Sequence, residues 1–248
     1  LKTAIQYALT ADPQKHQIHQ TYVIHDGIAG LLEGHVDEWH VKDLKGLHFL
    51  GGMTIGANRA ALDIKNDEQV EGFLNAIEKY GFTDLVIIGG FEAFVTLKNL
   101  EQLKKRLFSI QSHFKVVMIP ATISSNVPGT DCCIGSDTAL NVIGVCCDRI
   151  KLSASGSRRR VFIVETMGKK SGYLATLGGV AVGADAAYIF EDQIELSGLV
   201  ENVSRLKKKM SGPTKRGIVL LANQANENYN LDFFRRLYSE EGKGIFDC

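Results

Sequence analysis

Apolar residues along the chain gather into short runs that alternate with stretches of helical period. Ile18–His25, Leu85–Gly90, Val116–Pro120, Val161–Thr166, Ala187–Phe190 and Ile218–Ala222 read as strands. Most are continuous rather than alternating runs, the pattern of parallel strands covered on both faces. Between them, Asp67–Tyr80 sets Val70, Phe73, Leu74 and Ile77 on one face, with Gly81 following as a C-cap. Thr138–Lys151 reads as a second helix. Ser171–Gly183 is a third, rich in small residues and able to pack close to a sheet, and Leu196–Met210 a fourth, stopped by Ser211-Gly212-Pro213. Leu1–Ala11 reads as a helix already under way.

This succession predicts an α/β fold: layered, with a largely parallel sheet and helices on both faces. No Pro/Gly/Ser linker divides the chain and no repeat of about 20–50 residues recurs, so residues 1–248 are expected to form a single domain. The uncapped start and the Gly-punctuated end, Gly242–Cys248, suggest a piece of a longer protein.

Composition narrows the class. Hydrophobic residues make up 45% and charged residues 23% of the 248, globular proportions that exclude disorder. Lys+Arg 28 balances Asp+Glu 28, so the basic excess of a general nucleic-acid binder is absent. Mean hydropathy is -0.01, and no apolar run approaches the roughly 18 residues of a membrane span. Four of the five cysteines stand as adjacent pairs, Cys132-Cys133 and Cys146-Cys147, which suits neither a disulfide framework nor a zinc site. They read as small buried hydrophobes in a reducing compartment, with the cytoplasm expected.

In an open parallel sheet, ligands sit beyond the carboxyl ends of the strands. Four segments carry candidate chemistry. Val86-Ile87-Ile88 opens into Gly89-Gly90-Phe91-Glu92, a turn able to bring backbone N–H groups to a phosphate or to serve as a bare βα connection. After Pro120 comes Ala121-Thr122-Ile123-Ser124-Ser125-Asn126, a neutral cradle of hydroxyls and an amide with no carboxylate until Asp131. It suits sugar hydroxyls or phosphate oxygens, or simply caps the following helix. Glu165-Thr166 leads into Met167-Gly168-Lys169-Lys170, where Gly168 permits close approach and the lysines add charge; Arg158-Arg159-Arg160 starts the same strand at its other end. Gly51–Arg59 is glycine-rich and hydroxyl-bearing, with Arg59 a possible bidentate clamp on phosphate. Seven scattered His form no metal motif, Trp39 reads as packing, and Lys104-Lys105-Arg106 and Lys207-Lys208-Lys209 read as solvated helix faces.

Taken together, Val86–Phe94, Pro120–Asp148, Arg159–Tyr173, Gly183–Phe190 and Asn226–Asp247 resemble the C-terminal half of an animal-type ATP-dependent 6-phosphofructokinase. The similarity runs from about His25 to the end. Its long motifs are specific: Ser-Asp-Thr-Ala-Leu-Asn, Glu-Thr-Met-Gly, Gly-Ala-Asp-Ala-Ala-Tyr-Ile-Phe and Tyr-Ser-Glu-Glu-Gly-Lys-Gly-Ile-Phe-Asp. The resemblance implies a half that regulates rather than catalyses, its old sugar-phosphate site taken over by fructose 2,6-bisphosphate. The partner N-terminal half would use Mg-ATP to phosphorylate fructose 6-phosphate, within a homotetramer. The family's catalytic halves read Gly-Gly-Asp-Gly-Ser and Thr-Ile-Asp-Asn-Asp at two of these loops. Here Phe91 and Glu92 follow Gly90, Ser124 stands where the base would be, and Asn126 replaces the second acid. The implied effector site holds Arg59, Thr122, Ile123, Ser124, Ser125, Asn126, Arg160, Met167, Gly168 and Lys169, with Arg160 reaching across from a neighbouring subunit. No catalytic residue, metal or cofactor is expected in this half; the alternative is an active kinase domain using Glu92 or Asp131. Lys169 stands where the family usually has Gly, and the family's sugar-contacting Glu is missing near Asn223. The chain also ends before the family's His-Met-Gln-Gln segment.

Overall fold

The computed structural model describes residues 2–10, 20–157, 160–192, 195–225 and 227. The chain folds into two compact units, residues 1–119 and 120–248.

In the first unit, helix α1 (Lys2–Thr10) precedes strand β1 (Tyr22–Ile24), helix α2 (Gly27–Glu33) and strand β2 (Val36–Glu38). β1 and β2 pair antiparallel, Tyr22 opposite Glu38. The apolar pattern predicts one strand here; β2 escapes it because Val36-Asp37-Glu38 is short and mostly polar. Helix α3 (Asp67–Tyr80) has the predicted ends. The Asn66 side chain caps Gln69 N–H, and Gly81 closes the helix at φ 64, a left-handed position glycine takes without steric cost. Its face of Val70, Phe73, Leu74 and Ile77 centres the core. Strand β3 (Asp84–Gly89) then runs into helix α4 (Phe91–Gln102), followed by helix α5 (Lys104–Ile110) and strand β4 (Lys115–Pro120), which pairs with β3. Trp39 packs on Ile5, Val23 and Leu44, the structural role expected of it.

The second unit is a βα layer. Helix α6 (Ser136–Gly156) leads to strand β5 (Arg160–Thr166), helix α7 (Tyr173–Val182), strand β6 (Ala186–Tyr188), helix α8 (Leu196–Ser211) and strand β7 (Arg216–Ala222). β7 lies between β5 and β6, parallel to both; Arg160 faces Arg216, Thr166 faces Ala222, and Ala186 faces Val219. That central place explains why β7 alone of these is buried almost throughout. Coverage on both faces does not extend to every strand: Val86, Val117, Val161 and Ile163 are exposed, so β3, β4 and β5 each bury one face. α7 packs as closely as its small residues predict. A Cβ on Gly178 would lie 3.0 Å from Ile143 and 3.2 Å from Leu220, and one on Gly179 would lie 3.3 Å from Ala187.

Two side-chain expectations are corrected. Cys133 and Cys147 are buried, but Cys132 and Cys146 are exposed. On α6, successive positions point about 100° apart, so one cysteine of a pair faces in and the other out. Cys248 lies outside the described residues. Lys209 is not simply solvated: its ammonium meets Asp185 at 2.5 Å, while the same carboxylate accepts Ile218 N–H at 3.0 Å.

Candidate functional site

Two of the predicted segments meet in the second unit. Beyond β4, Ser124 N–H donates to Thr122 Oγ1 at 3.2 Å, folding 122–124 into a hydroxyl-capped turn. Ser125 takes φ 45, and its hydroxyl accepts Cys133 N–H at 3.3 Å. Beyond β5, Met167 is exposed and Gly168 sits so close to its own loop that a Cβ would lie 2.5 Å from the Ser171 carbonyl. Glycine is required there for the tightness of the loop itself. Lys169 and Lys170 follow in the left-handed region, φ 40 and 59. The Ser171 hydroxyl then donates to the Ser124 carbonyl at 2.8 Å and joins the two loops.

Next to this junction lies a cleft of about 560 Å³, lined by Ser125, Asn126, Lys170, Gly172, Tyr173 and Glu191 among others. Its wall is held by the N-cap of α7: Gly172 N–H donates to Glu191 Oε1 at 2.8 Å. Asn126 also lines the cleft, and its Oδ1 is buried without a hydrogen-bond partner among the described residues. Such an orphan acceptor is costly unless a donor reaches it. At the neighbouring strand ends, Asn223 N–H donates to the Thr166 carbonyl at 2.8 Å and its side-chain amide to Glu165 at 2.9 Å. Asn223 is therefore tied to the sheet.

The other predicted residues lie elsewhere. Arg160 begins β5, and six residues of strand span about 20 Å, so this chain holds it far from Met167. Arg158 and Arg159 lie outside the described residues, as does the Tyr238–Asp247 motif. Arg59 is exposed in the first unit. The glycine loop before it serves packing: Asp26 N–H donates to the Ile55 carbonyl at 2.9 Å, and Gly56, at φ 75, leaves no room for a Cβ beside Asp26 Oδ1. β3 does lead through Gly89-Gly90 into a helix, with Phe91, 45% exposed, at the step after the turn. Asp131 is exposed. Sequence reading singled out Lys170 beside Lys169 for its charge but left it out of the implied effector site, and it missed Tyr173 and Glu191 as cleft residues. Glu191 follows the carboxyl end of β6, and the strand-end rule applied to that strand would have found it.

The family model described as Phosphofructokinase matches residues 2–247. The chain belongs to the phosphofructokinase family. It is 49% identical over 231 residues to the muscle-type ATP-dependent 6-phosphofructokinase of Mus musculus and 46% identical over 232 residues to the human liver type. Each match covers 93% of this chain but only 29% of the relative, so the chain spans less than a third of those proteins. Among solved structures, phosphofructokinase from Saccharomyces cerevisiae superposes with a TM-score of 0.79 at 34% identity, covering 92% of this chain and 30% of that one. The Pichia pastoris phosphofructokinase in the T-state gives 0.78, also at 34% identity, over 98% of this chain and 25% of its own. These phosphofructokinases share the layered α/β architecture described above.

Proposed function

We propose that this chain is the regulatory, C-terminal half of an ATP-dependent 6-phosphofructokinase and that it binds fructose 2,6-bisphosphate without catalysing transfer. The observation that carries the reading is the orphan acceptor of Asn126 in a cradle of hydroxyls. An unpaired carbonyl oxygen asks for a donor such as a sugar hydroxyl, whereas a phosphotransferase needs a carboxylate base at the reacting hydroxyl. In this loop Ser124, Ser125 and Asn126 supply no charge. A bisphosphate bearing about four negative charges is tolerated by that neutrality and would be repelled by acids.

Thr122–Asn126 and Met167–Lys169 form the sugar- and phosphate-facing loops, joined through Ser124 and Ser171, and Arg160 serves the site of a neighbouring subunit in a homotetramer. Magnesium is held by one or two carboxylates together with nucleotide phosphates. Phe91 occupies the step after Gly89-Gly90 where such a carboxylate would stand, so the turn does not fit Mg-ATP. Mg-ATP chemistry is assigned to the other half of the parent enzyme, in the cytoplasm. Effector binding acts by favouring one quaternary state over another.

Calorimetric titration of fructose 2,6-bisphosphate into the complete protein, with and without Ser124→Asp, tests the reading. Binding that weakens at least tenfold on substitution supports it. Unchanged binding, or no binding to the unsubstituted protein, overturns it.

A further inference from the structure

We propose that Lys170 is the phosphoryl-anion contact of this cleft and that Glu227 is the counter-ion a ligand must displace from it. The inference rests on the reading that the cleft takes a phosphorylated ligand. Lys170 lines the cleft, yet its ammonium is turned to the Glu227 carboxylate at 3.1 Å and lies over the Phe190 ring at 5.4 Å. Both partners of the ion pair are about half exposed, 54% and 42%, and pairs of that kind are weak. A phosphoryl group offers several acceptor oxygens and more charge than one carboxylate, so it outcompetes Glu227 for the same ammonium.

Two further observations point the same way. The N–H of Gly172, at the N-terminus of α7, is already taken by Glu191, so that end of the helix has one donor fewer for an anion. Lys170 and Glu191 both line the cleft and their charges balance, so an anion gains a free cationic partner there only as Lys170 leaves Glu227. Backbone strain marks the same spot. Lys169 and Lys170 stand in succession at positive φ, where side-chain-bearing residues are disfavoured, and such strain persists where surroundings impose it, often at ligand clamps.

The test is titration of inorganic phosphate and of fructose 2,6-bisphosphate into the full-length protein carrying Lys170→Gln, Glu227→Gln or both. Glu227→Gln is expected to tighten both ligands severalfold, and Lys170→Gln to weaken both at least tenfold with an unchanged melting temperature. In the double variant the gain from Glu227→Gln should vanish. Affinities indifferent to Lys170→Gln, or a gain that survives without Lys170, overturn the proposal. Lys170-dependent binding of inorganic phosphate with no binding of the bisphosphate supports Lys170 and overturns the effector assignment instead. Absence of binding by either ligand, even with Glu227→Gln, overturns both.

Discussion

The Ser171 hydroxyl donates to the main-chain carbonyl of Ser124 at 2.8 Å, and both residues are buried. One bond thereby clasps the loop after β4 to the loop before α7. Ser171→Ala leaves a buried carbonyl unpaired, a cost of about 1–3 kcal/mol. Thermal denaturation should show a melting temperature lower by a few degrees. Effector affinity should fall with it, because the cradle loses its brace. An unaltered melting temperature would show that the clasp is not made.

Lys169 sits at φ 40. Replacing it with glycine removes a left-handed strain of about 1–2 kcal/mol and adds back roughly 0.5–1 kcal/mol of unfolded-chain entropy. Lys169→Gly, which relieves that strain, is therefore expected in denaturant titration to cost less stability than glycine at an ordinary helical position. Thr176→Gly, inside α7, should lower it by about 1 kcal/mol, since glycine there has only the entropic cost. Equal destabilisation by both would contradict the assigned backbone conformation.

Glu92 and Asp131 are the carboxylates a catalytic reading would need. Glu92 lies in the first turn of α4, where its carbonyl accepts the Thr96 hydroxyl at 3.0 Å, and Asp131 is exposed. Glu92→Gln and Asp131→Asn should each leave the turnover of the complete enzyme within about twofold. Loss of a catalytic base costs about 10²–10⁴-fold, so steady-state kinetics separates the alternatives cleanly.

Burial pushes the Cys147 thiol above its ordinary value of 9.0; Lys151 opposes the shift, and Cys146 and Asp148 add to it. A thiol whose pKa is raised by folding contributes stability that is complete below the unfolded value and is lost as pH climbs through the folded one. Stability should thus decline above about pH 9, and Cys147→Ala should flatten that decline. At neutral pH a maleimide should label Cys132 and Cys146 ahead of Cys133 and Cys147, as peptide mapping would reveal.

Local chemistry was enough for much of this protein. The 3.6-residue period and Gly81 after the last turn delimited α3, because those signals act within a few residues of one another. The apolar runs located β3, β4, β5 and β7 to within two residues, and the small residues of α7 announced its close packing. The loops of hydroxyls and lysines were visible for the same reason: strand ends in parallel sheets are where ligands gather. The resemblance in long motifs named the family, which the family match then established. Only the tertiary structure decided what depends on residues far apart in the chain. Which strand is central is a matter of pairing partners, so the burial of β7 and the exposure of Val161 and Ile163 on β5 were hidden in runs of equal apolarity. The partner of the Lys170 ammonium, the Glu227 carboxylate at 3.1 Å, stands 57 residues further along the chain. Asn126 was picked out by the resemblance as an effector-site residue, but only the fold enclosed its oxygen and left it without a hydrogen-bond partner among the described residues.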